Sequence, residues 1–294
     1  NCPIMLIRIK PLYSLVQFIF LYLLAGTLSA AVDKDSAVIR SIYSEALTSR
    51  IAYHNLVLLC RKAPGRLSGS PQLNTAIQLT KQFLQEAGAD TVYLQPVQIP
   101  NWKPGYTEAI VAAGNRKVHL HALPLGNSVP TPAEGITASV VEVHSFDELN
   151  ALGREKVSGR IVFYNRPMDP TLINTFAAYG KAVDQRVAGA SKAAALGAVA
   201  VLVRSLTLAC DTFPHTGQLR YQEGITKIPA LAIATCDADS LSLWMKQNTD
   251  LQAFIKTSCR PAGDTVGYNV FGEIRGKKPA EGIMVAGGHL DAWY

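Results

Sequence analysis

The residues best suited to chemistry stand near the end of the sequence, where an apolar run is followed by two glycines, a histidine and an aspartate. The run covers residues 284–286, and His289 and Asp291 follow Gly287 and Gly288. Open α/β folds place their sites where strands end. One ring nitrogen of such a histidine can bind a metal ion while the carboxylate holds the other ring N–H. A histidine–aspartate hydrogen bond without a metal is the alternative, and these two residues alone favour neither.

Other histidines and loops are weaker candidates for chemistry. His119 and His121 alternate on a predicted strand, so both rings can point the same way, but a solvent-facing pair is the preferred interpretation. His215 stands in a loop with proline and glycine, where a role in the turn is favoured. The loop 66–70 is interpreted as a helix-entry loop rather than the mouth of a cleft. The sequence has no Gly-x-Ser-x-Gly motif and no phosphate-binding glycine loop with lysine, so neither a serine hydrolase nor a nucleotide-binding protein is indicated.

The elements that must position these residues alternate between helices and strands, which predicts an α/β fold. Predicted helices cover 36–59, 71–88, 146–152, 186–196 and 237–247. Predicted strands cover 91–99, 106–113, 118–125, 140–143, 159–164, 198–203, 228–233, 253–257, 268–274 and 282–286, with the last two as a hairpin. Ser70 and Pro71 predict the N-cap and first residue of the second helix. Breaker-rich stretches at 126–135 and 261–264 predict two domain boundaries.

The last motif resembles a known signature. Residues 287–293, Gly-Gly-His-Leu-Asp-Ala-Trp, are similar to the Gly-His-Leu-Asp-Ser-Trp signature of the secreted two-zinc exopeptidases. Blocks at 64–70, 143–149, 214–217, 227–229 and 269–274 resemble the same family in the same order. The resemblance covers essentially everything after residue 31, and several ordered blocks are more specific than one motif.

The resemblance implies a three-layer α/β zinc-exopeptidase domain, incomplete in this chain, with an α/β protease-associated domain inserted into it. The expected organisation is a signal peptide at 5–31, a first peptidase segment at 32–135, the inserted domain at 136–262 and a second, truncated peptidase segment at 263–294. The expected activity is that of a zinc-dependent carboxypeptidase or dipeptidase acting on short peptides.

Carried over to this sequence, the resemblance implies that His289 is a zinc ligand and that Asp291 is the catalytic-site carboxylate that orients it. The family's full site holds two zinc ions, and its remaining ligands and general base match no residue of this chain. Ala292 and Tyr294 stand where the family usually has serine and aspartate. Because one histidine cannot hold a zinc ion and no general base is assigned, we expect the 294-residue chain to be inactive alone. A non-catalytic secreted binding protein that uses the inserted domain is the alternative.

Composition excludes several classes of protein. With 48% hydrophobic and 17% charged residues the chain is not generally disordered. The net charge is +6, but the basic residues are scattered along the chain, and two of them, Arg8 and Lys10, belong to the predicted leader. Nucleic-acid binding is therefore not expected. The leader has a basic stretch, an apolar stretch and small residues in that order, which predicts secretion. Location in the lysosome, the endoplasmic reticulum or the Golgi is compatible with the same leader. A signal anchor is the alternative, although stable membrane insertion is not expected.

Four cysteines follow the predicted leader: Cys60, Cys210, Cys236 and Cys259. In an oxidising compartment they could form two disulfides in any of three pairings, and buried free thiols are an equal alternative. Without a C-x-x-C pair, a cysteine zinc site is not predicted. Oligomeric state is left open, with a homodimer among the alternatives.

Overall fold

The computed structural model describes residues 34–113, 116–247, 251–276 and 282–293, so the predicted leader lies outside the described residues. Helices are α1 (Lys34–Thr48), α2 (Ile51–Lys62), α3 (Pro71–Glu86), α4 (Phe146–Val157), α5 (Thr175–Ala182), α6 (Asp184–Ala195) and α7 (Thr235–Gln247). Strands are β1 (Thr91–Lys103), β2 (Thr107–Ala113), β3 (Arg116–His119), β4 (Ala122–Pro124), β5 (Ile136–Val143), β6 (Ile161–Tyr164), β7 (Ala200–Arg204), β8 (Ala230–Ile233), β9 (Gln252–Thr257) and β10 (Arg260–Glu273). Within these ranges, no helix combines the length and apolar character that a membrane span requires.

The chain divides into two compact units, Asn1–Val57 and Leu58–Tyr294. The described part of the first unit contains α1 and the beginning of α2. The sequence predicts one helix over 36–59, but the structure breaks it at residues 49 and 50. The Ser49 hydroxyl accepts a hydrogen bond from the Ile51 N–H at 3.4 Å, a local interaction that competes with helix continuation. Hydrophobic spacing of three and four residues continues across this serine and therefore does not reveal the break.

Helix α3 begins as the sequence predicts. Ser70 has an extended backbone, its hydroxyl accepts from the Leu73 N–H at 3.1 Å, and Pro71 occupies the first helical turn. This cap satisfies a backbone donor that would otherwise lack a partner. The buried face of α3 forms a small apolar cluster with Ala63, comprising Leu73, Ala76 and Ile77.

An eight-stranded mixed sheet forms the main core of the second unit, in the order β3-β2-β9-β5-β6-β7-β8-β4. Strands β5 to β8 are parallel, and the outer strands pair antiparallel. Strands β6, β7 and β8 carry continuous apolar runs because both of their faces are covered. One face, including Phe163 and Leu231, packs with Leu241 of α7, whereas the other, including Tyr164 and Val201, packs with Leu149 of α4. The α/β fold predicted from the sequence is confirmed, and its central sheet is mixed.

Strand β10 corrects a sequence prediction. The hairpin expected between 268–274 and 282–286 does not form. Strand β10 pairs antiparallel with β1 instead, from Thr91 opposite Glu273 to Lys103 opposite Arg260. Residues 282–286 form neither helix nor strand. The predicted partner was the nearest apolar run in the sequence, whereas the observed partner is distant along the chain.

The eight-stranded sheet can be compared with the domain boundaries expected from the sequence. Strands β2, β3 and β4 precede Gly135, yet they lie in the same sheet as β5 to β9, and residues 261–264 lie inside β10. The expected limits at 135 and 262 therefore do not coincide with edges of the sheet. The chain enters the sheet after β1 and leaves it before β10.

A candidate metal-ligand pair

His289 and Asp291 lie together in the segment 282–293. The Nδ1 atom of His289 is 3.0 Å from an Asp291 carboxylate oxygen, a hydrogen-bonding distance. The histidine side chain is 93% exposed and that of the aspartate 47%. The sequence expectation that the two residues can lie close together agrees with this geometry. Their roles in metal binding and catalysis stay predictions.

The carboxylate changes the acid–base behaviour of the ring. Asp291 raises the pKa of His289 above its ordinary value, first through the hydrogen bond and then through its charge. A carboxylate at Nδ1 also favours the tautomer in which Nε2 carries the free lone pair. That nitrogen is the one left for a metal ion.

Arg66 holds this segment in place. Its Nε donates to the Leu290 carbonyl at 2.6 Å, and its own carbonyl accepts from the Ala292 N–H at 3.2 Å. Leu290 packs against the apolar cluster of Ala63 and α3. The backbone on both sides of Asp291 is therefore fixed to the loop before α3 while the His289 ring remains in solvent.

Trp293, at the end of the segment, packs against Gly126. A Cβ added at Gly126 would overlap the Trp293 ring, so the indole lies directly against this backbone. Gly126 itself is fixed, because its N–H donates to the Gly217 carbonyl at 2.9 Å and its carbonyl accepts from the Leu219 N–H at 3.0 Å. A larger residue at 126 would displace the tryptophan.

Sequence reasoning did not find these supporting contacts. The sequence predicts a helix-entry loop at 66–70, and the structure has one, but Arg66 also donates a hydrogen bond to the histidine–aspartate segment. The resemblance of 64–70 to the exopeptidase family was the available signal. A side chain that donates to a distant carbonyl leaves no pattern of its own in a sequence.

The other histidine candidates have separate partners. His119 lies 3.8 Å from Glu108, whereas His121 lies 3.0 Å from Asp237 and also donates its backbone N–H to that carboxylate. His215 donates its N–H to the Ser205 hydroxyl at 2.7 Å, and its Nε2 lies 3.5 Å from an Asp211 carboxylate oxygen. Across the described ranges, no three histidine, cysteine, aspartate or glutamate side chains are grouped so as to hold a metal ion.

A cleft of about 760 Å³ lies apart from this pair. It is bordered by Trp102 at the end of β1, by the connection between β7 and β8, and by Asp264 of β10. Neither His289 nor Asp291 lines it. The cleft and the candidate metal ligand are therefore two different features of the second unit.

Comparison with solved structures shows which fold this chain resembles. The chain superposes on an M28 peptidase precursor from Shewanella amazonensis with a TM-score of 0.83 and 31% identity, covering 90% of this chain and 59% of that one. The mixed α/β fold is thus similar to that of an M28 peptidase.

Curated relatives then name a particular protein to which this chain is similar. The chain is 38% identical to human carboxypeptidase Q over 263 residues, which are 89% of this chain and 53% of the relative. It is 39% identical to Xenopus laevis carboxypeptidase Q over 242 residues, which are 82% of this chain and 50% of the relative. No protein-family model matches. The chain spans about half the length of the curated relatives it matches. These matches confirm the resemblance to an exopeptidase family that the sequence predicts.

Proposed function

We propose that this chain carries part of the active site of a zinc-dependent metalloexopeptidase, a carboxypeptidase or dipeptidase, that hydrolyses short peptides. The observation that supports this function best is the His289–Asp291 pair, in which a fixed carboxylate orients an exposed imidazole. The similarity to carboxypeptidase Q and to an M28 peptidase supports the same class of reaction.

The described residues supply one ligand of a zinc site. His289 offers a nitrogen of the kind that zinc binds, but a stable site needs at least three protein ligands. Since the described residues contain no group of three suitable side chains, we propose that further ligands for two zinc ions come from outside them and that this chain alone is inactive. When bound, zinc polarises a carbonyl group and makes water a stronger nucleophile.

The chain's own residues prepare the ligand. Asp291 holds the Nδ1 proton of His289, which keeps Nε2 available and limits rotation of the ring. Arg66 fixes the backbone that carries both residues, and Leu290 anchors it to the apolar cluster beside α3. We assign Asp291 and Arg66 as positioning residues for His289.

We further propose that the eight-stranded sheet and its helices form the protease-associated insertion. The two ends of this region meet where Lys103 is paired with Arg260, so it leaves and re-enters the remaining chain at one place. The insertion would then begin after Lys103 and end before Arg260. These limits differ from the expected 136–262 by including β2, β3 and β4.

The test begins with the transcript beyond Tyr294. A reading frame that continues into glycine-rich segments with aspartates and a glutamate pair would support the proposed enzyme function. A stop codon would instead favour the alternative, a non-catalytic binding protein. The protein from a continuing frame should hydrolyse dipeptides and lose that activity with a zinc chelator or in the His289→Ala variant.

His119→Ala is the matched control, because this exposed histidine lies on β3 outside the proposed site. Its activity should equal that of the unmodified protein. Chelator-insensitive activity, or full activity in His289→Ala, would contradict the proposed function. Chelator-sensitive dipeptide hydrolysis by the 294-residue chain would contradict the proposal that this chain is inactive alone.

A further inference from the structure

Two of the four cysteines that the sequence leaves unpaired meet at the start of α7. Cys210 lies in the connection between β7 and β8 and is exposed, whereas Cys236 is the second residue of α7 and is half-buried. Their Sγ atoms are 2.8 Å apart although the residues are 26 positions apart in the chain. A disulfide bond measures about 2.05 Å, so covalent linkage requires the sulfurs to approach by less than about 1 Å.

The backbone on both sides holds these cysteines together. Thr235 is buried, and its hydroxyl accepts from the Asp211 N–H at 2.9 Å and donates to the Ala209 carbonyl at 2.9 Å. The Cys236 N–H also donates to the Asp211 carbonyl at 3.2 Å. The residues that flank Cys210 are thus bonded to the first turn of α7, and the sulfur contact does not depend on one flexible side chain.

The other two cysteines have different surroundings. Cys259 is buried, and its thiol donates to the Ser128 carbonyl at 3.2 Å. Cys60 is exposed near the end of α2. Only Cys210 and Cys236 are placed against one another among the described cysteines.

We propose that Cys210 and Cys236 form a disulfide, with a small disulfide such as oxidised glutathione as the oxidant. The Cys210 thiolate attacks one glutathione sulfur, and a glutathione thiolate leaves. The Cys236 thiolate then attacks the Cys210 sulfur of the mixed disulfide and expels the second glutathione thiolate. The two protein thiols lose two electrons and two protons, and one oxidised glutathione becomes two reduced molecules.

The order of attack follows from the surroundings of the two thiols. The hydrogen bond with Cys210, followed by desolvation, raises the pKa of Cys236 to about 11. Cys236 is therefore protonated near neutral pH, while Cys210 is the more exposed sulfur. Once Cys210 is in the mixed disulfide it has neither an S–H group nor a thiolate charge, so its hydrogen bond and its charge no longer disfavour the Cys236 thiolate.

The linkage would tie the β7–β8 connection to α7. This connection carries His215 and the exposed Phe213, and it borders the cleft through Tyr221. A cross-link over such a loop restricts the unfolded chain more than the folded one. The oxidised form should consequently resist proteolysis in this connection better than the reduced form.

Peptide mapping tests the proposal on the full 294-residue chain. After equilibration with oxidised and reduced glutathione, acid quenching and alkylation, trypsin places the four cysteines that follow the predicted leader in separate peptides, 51–61, 205–220, 228–246 and 257–275. We expect a species with the mass of 205–220 plus 228–246 less two hydrogens, and its loss after reduction. The five thiols of the chain should fall to three.

Matched variants make the result specific. Cys60→Ser should retain the linked peptide pair, and Cys210→Ser should lose it while Cys236 becomes fully alkylated. Full alkylation of Cys210 and Cys236 in the oxidised, unmodified chain would overturn the proposal. A link from either residue to Cys60, to Cys259 or to a second chain would overturn it as well.

Discussion

Two apolar runs of similar length end in very different environments. Residues 161–164 form β6 and are 0–1% exposed, whereas Ile283, Met284 and Val285 are 94%, 98% and 81% exposed. The first run lies between β5 and β7, which satisfy its backbone groups, and helices cover both faces. The second run has no strand partner among the described residues. Apolar composition therefore favours a strand only where neighbours exist to complete it.

The largest effect is expected when one side chain in each run is replaced by alanine. Phe163→Ala removes a fully buried ring and should lower the free energy of unfolding by about 3–5 kcal/mol. Met284→Ala, at an exposed position, should change it by less than about 0.5 kcal/mol. Urea denaturation followed by circular dichroism measures both. Comparable losses in the two variants would show that the terminal run is packed in solution, which would remove the contrast.

A smaller effect is expected when Arg66 no longer holds residues 290–292 of the terminal segment. Arg66→Ala removes the charged donor to the Leu290 carbonyl, and such hydrogen bonds contribute about 1.5–3 kcal/mol. Hydrogen exchange at the Ala292 amide, which donates to the Arg66 carbonyl, should become at least about tenfold faster. Arg61→Ala, an exposed arginine of α2, is the control and should leave this exchange rate unchanged. Equal rates in the two variants would mean that Arg66 does not hold the segment.

The smallest effect concerns the ionisation of His289. Asp291 favours the imidazolium form, so the pKa of His289 should lie above its ordinary value and fall towards it in Asp291→Asn. In a titration of the ring protons by nuclear magnetic resonance, the midpoint should move to lower pH in this variant. Glu155→Gln, at an exposed carboxylate of α4, should leave the midpoint in place. A midpoint that is the same with aspartate and asparagine would show that the pair is not formed in solution.

The sequence predicted what short-range physics determines. Ser70 and Pro71 marked the start of α3, and the apolar runs of β6, β7 and β8 marked buried strands, because capping and burial leave local patterns. The proximity of His289 and Asp291 was likewise expected from one intervening residue. Helix α5 was missed, since the eight residues of that helix carry only a short apolar pattern.

Long-range pairing could not be predicted in this way. The partner of β10 is β1, and Asn269 bonds Gln95 across 174 positions of sequence. Arg66 reaches a backbone carbonyl, an acceptor that every residue possesses, so its target has no signature. The contact between Cys210 and Cys236 depends on how the β7–β8 connection folds over α7, which no spacing rule encodes. Chain topology decides these contacts.

The ladder between β1 and β10 has an evolutionary consequence. Because Lys103 and Arg260 are paired neighbours, a two-residue turn could join them and leave an ordinary β-hairpin in place of some 150 residues. Everything between them occupies the position of a hairpin turn. A single insertion event at such a turn could have added the whole sheet without interrupting the older pairing, and a single deletion could remove it again.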